Sequence, residues 1–460
     1  MIPAPELILP REGEYCLGAN PRVCFAYENL APLARILAKE LSAVSGRSAQ
    51  AEHDPRPVAG DIALFVDQSL PDGSSTIEID EQLIVRGRDY RAVARGTSTC
   101  LQLLNDKGCC ACGKIQERRR FPYSGLMLDL ARKPHDFQVL KDAVVLCRFY
   151  KIRHLHLHFT DDQAHTFPSS AFPQLGRERK YSLAQMRELE NLAAERGVEI
   201  VPEMDLPGHS RTLVHDLPFL RCDSTEADVL CPGRDETYRT LETLIREMTS
   251  AFPSSSYFHI GADEFKTELW RDCPRCRDYM KRHRLRDVDE LFCHFVTRLD
   301  QLVRACGKRT LIWEGFHPAQ ASLIPKHIPV MVFESLYATA PELLAAGFQV
   351  INTSWQPLYV VNDRAWSPEQ IHAWNPYRWE NWWEKSRAWP DGVEVSGTKD
   401  VLGAQICAWE QPGEVEIASL SRRAAALMER LENPGCGTYA DFARRLDAAE
   451  ERLAKILAIP

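Results

Sequence analysis

No stretch of the chain approaches the roughly 20 consecutive apolar residues that a membrane-spanning helix needs, which argues against an integral membrane protein. There is no long basic run, and 56 Lys and Arg against 64 Asp and Glu leave a formal charge of −8, so no nucleic-acid partner is expected. The opening 18 residues lack a basic patch followed by an apolar core. On that ground no signal peptide is read, and a cytoplasmic location is expected. Fifteen cysteines are present, with local clusters at Cys109-Cys110-Ala111-Cys112 and Cys273-Pro274-Arg275-Cys276. Neither cluster has a second well-spaced pair close by, Cys222 and Cys231 being only loose candidates. Reduced thiols are therefore expected, with no metal and no cofactor.

What is present is ordinary globular material, 45% hydrophobic and 26% charged. At 460 residues it exceeds what one small core organises, and two domains are expected. Residues 1–120 alternate strand and helix signals. Arg22 to Tyr27 and Asp61 to Val66 read as strands, Ser75–Ile79 and Gln82–Arg86 as a hairpin, and Leu30–Ser45 and Tyr90–Leu104 as amphipathic helices. This unit has no carboxylate–histidine cluster and reads as a structural α/β domain. Residues 105–122, with Lys, Gly and the charged run Glu117-Arg118-Arg119-Arg120, read as a linker.

From Ser124 the pattern becomes strand, loop, helix, repeated. Strand-like runs begin at Gly125, His154, Glu199, Tyr257, Thr310, Pro329, Gln349 and Gly403, with helices of 3.6-residue periodicity between several of them. Eight repeats read as a (β/α)8 barrel over 121–460, giving an α/β fold in which a smaller α/β domain precedes a TIM barrel.

Chemistry in such a barrel belongs at the C-terminal ends of the strands. Those ends carry Asp129 with Arg132, Asp161-Asp162, Asp205 with His209, Asp263-Glu264, Trp313-Glu314, Trp355 and Trp409-Glu410. Tryptophans on such a rim suit the apolar face of a sugar ring. Asp263 and Glu264 follow the apolar run Tyr257–Ile260 and a small-residue break. Adjacent carboxylates repel, so at least one should hold a proton near neutral pH. Strand side chains alternate, so both can face one ligand only if the chain bends after Gly261. His154, His156 and His158 share a face of one strand and are read as packing and hydrogen-bonding residues inside the barrel.

These segments, namely GLMLDLARKPHD, HLHLHFTDDQ, VEIVPEMDLPGHS, FHIGADEF, LIWEGF, GAQICAWE and SRRAAALMERLENP, resemble glycoside hydrolase family 20 β-N-acetylhexosaminidases in order and spacing. The N-terminal unit, ending in TSTCLQLL, resembles that family's non-catalytic domain. The resemblance implies retaining hydrolysis of terminal β-linked GlcNAc or GalNAc from glycans or glycoconjugates, with the sugar's own 2-acetamido oxygen as nucleophile. It makes Glu264 the general acid and base, and Asp263 the group that orients the acetamide. It assigns Arg132 to the sugar hydroxyls, Asp161 and His209 to a relay that tunes the acid, and Tyr359 to the acetamide oxygen. Trp313 and Trp409 are implied pocket walls, with Trp355 on the same rim; Glu410 and Asn362, each one step from the family position, are the expected polar contacts of the outer pocket.

The chain departs from the family pattern at Ala262 for a glycine, Phe333 for a tryptophan, Val361 for a polar residue and Gln411 for a carboxylate. The last two motivate an alternative, a relative narrowed to a decorated sugar such as 6-sulfo-GlcNAc. A catalytically silent sugar-binding protein is a further alternative. Six of the ten tryptophans fall within 366–389, readable either as a flank-packing loop or as a platform for a second sugar.

Overall fold

The computed structural model describes residues 1–176, 181–223, 228–435 and 437–459. The first sheet holds β1 (Leu7–Cys16), β2 (Arg22–Phe25), β3 (Gln50–His53), β4 (Ile62–Val66), β5 (Ser74–Ile79), β6 (Leu83–Gly87) and β7 (Cys109–Arg118), in the order β1-β7-β5-β6-β4-β2-β3. Helices Ala31–Ser45 and Tyr90–Leu103 pack on it through Leu33, Leu37, Leu41, Val93 and Leu101, all fully or nearly fully buried.

The expected linker is a correction. Most of 105–122 is β7, a ten-residue strand paired with both β1 and β5. Its charge disguised it, because Glu117 points inward beside Ile115, where a sequence reading expects an apolar residue. Lys151 Nζ, 2.5 Å away, and the Thr99 hydroxyl, 2.8 Å away, satisfy that carboxylate. β1 is largely exposed and irregular between Pro10 and Glu14; its apolar start, Leu7-Ile8-Leu9, is cut short by Pro10 and the charged residues beyond, so it does not read as a ten-residue strand. Cys16 and Cys109 face each other across β1 and β7 and form a disulfide, which corrects the expectation of reduced thiols throughout.

The second sheet is the barrel: β8 (Tyr123–Asp129), β9 (His154–His158), β10 (Glu199–Leu206), β11 (Tyr257–Gly261), β12 (Arg309–Trp313), β13 (Val330–Val332), β14 (Val350–Asn352) and β15 (Val401–Ala408). Neighbours pair in parallel in this order, and closure comes from β15 pairing with both β14 and β8. Nearly every barrel-strand residue is buried, as expected where helices cover the outside and side chains fill the inside.

The interior is unusually polar. His154 stacks on Tyr123 with ring centres 4.2 Å apart, and its Nδ1 lies 3.1 Å from the Ser124 carbonyl. One level up, Glu203 sits among His156, His158 and His259, and the Trp313 indole N–H donates to it at 2.6 Å. The three alternating histidines of β9 thus rise from the barrel floor to the rim, and the upper two, His156 and His158, meet at Glu203.

Two buried ion pairs join the barrel to the first domain. Arg148, on helix Phe137–Phe149, chelates Glu40 with Nε and Nη2, the latter at 2.7 Å. Lys151 just beyond it meets Glu117.

Candidate active site

β11 delivers its carboxylates through a sharp change in backbone direction. Gly261 and Ala262 both have φ of 75°, and Glu264 has φ of 49°. A Cβ on Gly261 would lie 1.7 Å from Asp205 Oδ1, so only glycine permits this approach of β11 to β10. The expected bend after Gly261 is present, and it brings Asp263 and Glu264 to one pocket. Ala262 tolerates the left-handed conformation usually given to glycine, and His209 (φ 46°) and Glu410 (φ 56°) share it. Non-glycine residues in this region concentrate where function constrains the backbone.

The pocket has a volume of about 240 Å³. Asp263, Glu264, His209, Arg132, Tyr359, Trp313, Trp355, Trp409 and Glu410 line it, as the sequence led us to expect. Trp313 is buried and tied to Glu203 at its indole nitrogen, which closes the floor. Tyr359 begins a three-residue strand paired in parallel with β15, opposite Cys407.

Asp161 lies one layer below. It holds the site together through Arg132 Nη2 at 2.6 Å, His158 Nε2 at 2.9 Å and His209 Nδ1 at 3.2 Å. His209 Nε2 in turn lies 3.3 Å from Glu264 Oε2, so an Asp161–His209–Glu264 relay is formed. Burial opposes charge on Asp161, but its hydrogen bonds to His158 and His209 outweigh this and hold it far below the ordinary carboxylate range. Burial likewise opposes the His209 cation, and Asp205, Asp161 and Glu264 overcome it and raise its pKa. Arg132 completes the wall, its guanidinium 5.0 Å from the ring centre of Trp409.

Asn362 is not brought into the pocket. In the strand Tyr359–Val361 alternate side chains face the cavity, so Tyr359 and Val361 line it. Asn362 falls in the exposed turn beyond, where its side-chain oxygen lies 3.5 Å from Gln411 Nε2. Gln411 is turned away and donates to the Trp409 carbonyl at 3.1 Å, leaving Glu410 on the pocket wall.

Three participants were not assigned from sequence. Asp205 lines the pocket, buried against Asp263. Trp382 comes in from the tryptophan-rich segment, its ring centre 4.9 Å from that of Trp355. Glu334, ending the apolar run after Pro329, stands beside Glu264, and burial followed by the Glu264 charge pushes it up to about 9. The signal for Glu334 was the one that found Glu264, a carboxylate after a buried strand. Glu314 supports this corner by accepting the Ser335, Leu336 and Tyr337 backbone N–H groups at 2.6–3.0 Å.

Burial pushes Asp263 up to about 7, and the Glu264 charge adds to the effect. The hydrogen bond from His209 holds Glu264 below its ordinary value. In the free site the proton therefore favours Asp263 and Glu334 over Glu264. Asp263 Oδ1 and the Trp409 and Trp355 indole nitrogens are buried with no hydrogen-bond partner, an acceptor and two donors on side chains that line the pocket.

A sequence model described as the glycosyl hydrolase family 20 catalytic domain matches residues 121–431. The chain belongs to glycosyl hydrolase family 20. It is 27% identical to a beta-hexosaminidase of Porphyromonas gingivalis over 98% of this chain and 63% of that protein. To a beta-hexosaminidase of Vibrio furnissii it is also 27% identical, over 80% of this chain and 65% of that protein. It thus spans under two thirds of the length of these curated relatives. Among solved structures, a GH20 exo beta-N-acetylglucosaminidase from Vibrio harveyi, in complex with N-acetylglucosamine, superposes with a TM-score of 0.83. That match has 21% identity and covers 99% of this chain and 77% of the other. A beta-N-acetylhexosaminidase from Bacteroides fragilis superposes with a TM-score of 0.81 at 19% identity, covering 99% and 96%. These structural likenesses carry the fold.

Proposed function

We propose that this family 20 chain is an exo-acting β-N-acetylhexosaminidase that removes terminal, non-reducing β-linked GlcNAc or GalNAc with retention of configuration. The observation that carries this reading is the pairing of a buried Asp263, whose Oδ1 lacks a partner, with a Glu264 held by the Asp161–His209 relay in a tryptophan-walled pocket. Relatives named beta-hexosaminidases support it. The closed floor under Trp313 suits a chain end rather than a chain interior.

In the reaction proposed, the 2-acetamido oxygen attacks the anomeric carbon, the bond to the aglycone breaks, and Glu264 gives its proton to the departing oxygen. Asp263 accepts the acetamide N–H and stabilises the positive charge of the oxazolinium ion. Water, deprotonated by Glu264, then opens that ion at the anomeric carbon. Binding an amide N–H favours ionised Asp263, and that charge in turn raises Glu264. The ligand thereby reverses the proton preference of the free site, placing the proton where the leaving group needs it.

Aryl β-GlcNAc hydrolysis tests the reading. Glu264→Gln should lose about 10²–10⁴-fold in kcat with the fold intact by circular dichroism. A folded wild type that binds GlcNAc yet hydrolyses nothing would instead favour a sugar-binding protein. A second reading, specificity for a 6-sulfated sugar, is favoured by apolar Val361 on the outer wall and by Arg364, whose guanidinium lies 4.7 Å from the ring centre of Trp382. Parallel assays on GlcNAc, GalNAc and 6-sulfo-GlcNAc aryl glycosides separate the two.

A further inference from the structure

Four cysteines outside the pocket, far apart in sequence, converge in space. Cys222, Cys231, Cys273 and Cys276 are all buried, and their sulfurs lie within 4.8 Å of one another. The Cys222–Cys276, Cys231–Cys273 and Cys231–Cys276 sulfur separations are 3.9, 3.8 and 3.7 Å. A disulfide brings its sulfurs to about 2.05 Å, so these pairs are not bonded. Four thiolates placed about 2.3 Å from a central zinc ion form a tetrahedron whose edges are about 3.8 Å. We propose that Cys222, Cys231, Cys273 and Cys276 hold a structural zinc ion, replacing the expectation of scattered thiols without metal.

The backbone around the sulfurs is built for this rather than for simple apolar packing. The Arg221–Leu230 bridge is flanked by Cys222 N–H donating to the Val229 carbonyl at 3.0 Å and Cys231 N–H to the Leu220 carbonyl at 2.8 Å. These bonds set Cys222 and Cys231 across from each other. Cys231-Pro232-Gly233 turns so that the Gly233 N–H donates to the Cys231 sulfur. A Cβ on Gly233 would lie 2.5 Å from the Arg275 carbonyl and 2.6 Å from the Cys276 nitrogen. The two cysteine turns therefore pack main chain against main chain, at a separation only glycine allows. Cys273 stands at the N-cap of helix Pro274–His283, and Cys276 lies in its first turn, so the helix start fixes the spacing of this pair. A ZnS4 centre carries a charge of −2, and Arg275 lies within one of the two turns.

The position links the site to the chemistry. Cys222 and Cys231 belong to the connection that follows β10 and carries His209. Cys273 and Cys276 follow Asp263 and Glu264 on the connection after β11. The Trp270 indole N–H, donating to the Leu230 carbonyl at 2.8 Å, closes the same seam. The ion would fasten together the two loops that bring the relay to the acid. All-thiolate tetrahedral sites also accept iron, so metal identity is part of the test.

The 460-residue chain, purified under reducing conditions without added metal or chelator, should contain about one zinc per chain by plasma mass spectrometry. A mercurial that blocks thiolates should release this zinc stoichiometrically to a chromogenic dye and lower Tm. Cobalt substitution should give the thiolate charge-transfer and ligand-field bands of a tetrahedral S4 centre. Cys276→Ser can fail to fold, so the decisive measurements use the wild type. Metal-free protein that takes up no cobalt, iron in place of zinc, or disulfides among the four cysteines by peptide mapping would each overturn the proposal.

Discussion

His209 controls the charge state of Glu264 more than any other single side chain, because its hydrogen bond is the largest influence holding that carboxyl down. Removing the imidazole lets the Glu264 pKa rise. A general acid with a raised pKa stays protonated to higher pH, so the alkaline limb of kcat/KM in His209→Ala should move upward. At the same time kcat falls by about tenfold or more from lost positioning. A pH–rate profile of the variant checks both, and a purely structural role would lower kcat without moving the limb. Gly261 is the second residue of consequence. Gly261→Ala forces a methyl against Asp205 and should cost at least about 10²-fold in kcat, measured on aryl GlcNAc with the fold monitored by circular dichroism. Both residues were legible, since acids, a histidine and a small-residue break at strand ends signal a rim. The error at this scale was Asn362, taken one step outside the family register, which falls on Val361. It leaves the wall because the strand Tyr359–Val361 ends one residue before it, and no local pattern marks that end.

At the scale of elements, the segment 366–389 divides between the two roles its tryptophans offered. Trp374 and Trp379 are buried, with the Trp374 indole donating to the Arg378 carbonyl at 3.0 Å, whereas Trp382 lines the pocket. Trp383 stacks on Trp355 at 5.8 Å between ring centres, behind the wall. Trp379→Ala should therefore destabilise by about 3–5 kcal/mol in urea unfolding. Trp382→Ala should spare stability and raise KM for a disaccharide more than for an aryl glycoside. Equal KM changes on both substrates would assign Trp382 to packing. The eight barrel strands were all legible because each is a short run, apolar or, in β9, alternating Leu with His, that leads into polar residues. β7 was not, since its inward positions include Glu117, whose partner Lys151 lies 34 residues away. A buried ion pair is a long-range fact, and period-2 reading sees only local ones. The cysteine cluster was set aside for the same reason: the CxxC pair gives half of it, and Cys222 and Cys231 stay loose candidates until tertiary structure sets them beside it.

At the scale of the whole molecule, the first domain is tied to the barrel by charges taken out of water. Arg148 and Glu40 are almost fully buried, and each is the other's counter-ion. Deleting one leaves the other uncompensated, so Arg148→Ala should cost about 3–5 kcal/mol in equilibrium unfolding. Exchanging both for well-packed apolar residues should cost much less. A loss below about 1 kcal/mol for Arg148→Ala would mean that the interface is wet and the domains only loosely joined.

The proposed reaction turns on where the nucleophile comes from. In the reaction proposed, Asp263 serves the acetamide N–H and Glu264 the leaving oxygen, and the substrate's own acetamido oxygen takes the place of a carboxylate nucleophile. The direct test is kcat/KM on aryl β-glycosides of GlcNAc whose N-acetyl group carries none, one, two or three fluorines. If the acetamido oxygen is the nucleophile, its weakening must lower the rate steeply and log-linearly across the series, whereas a rate indifferent to fluorination would contradict the account.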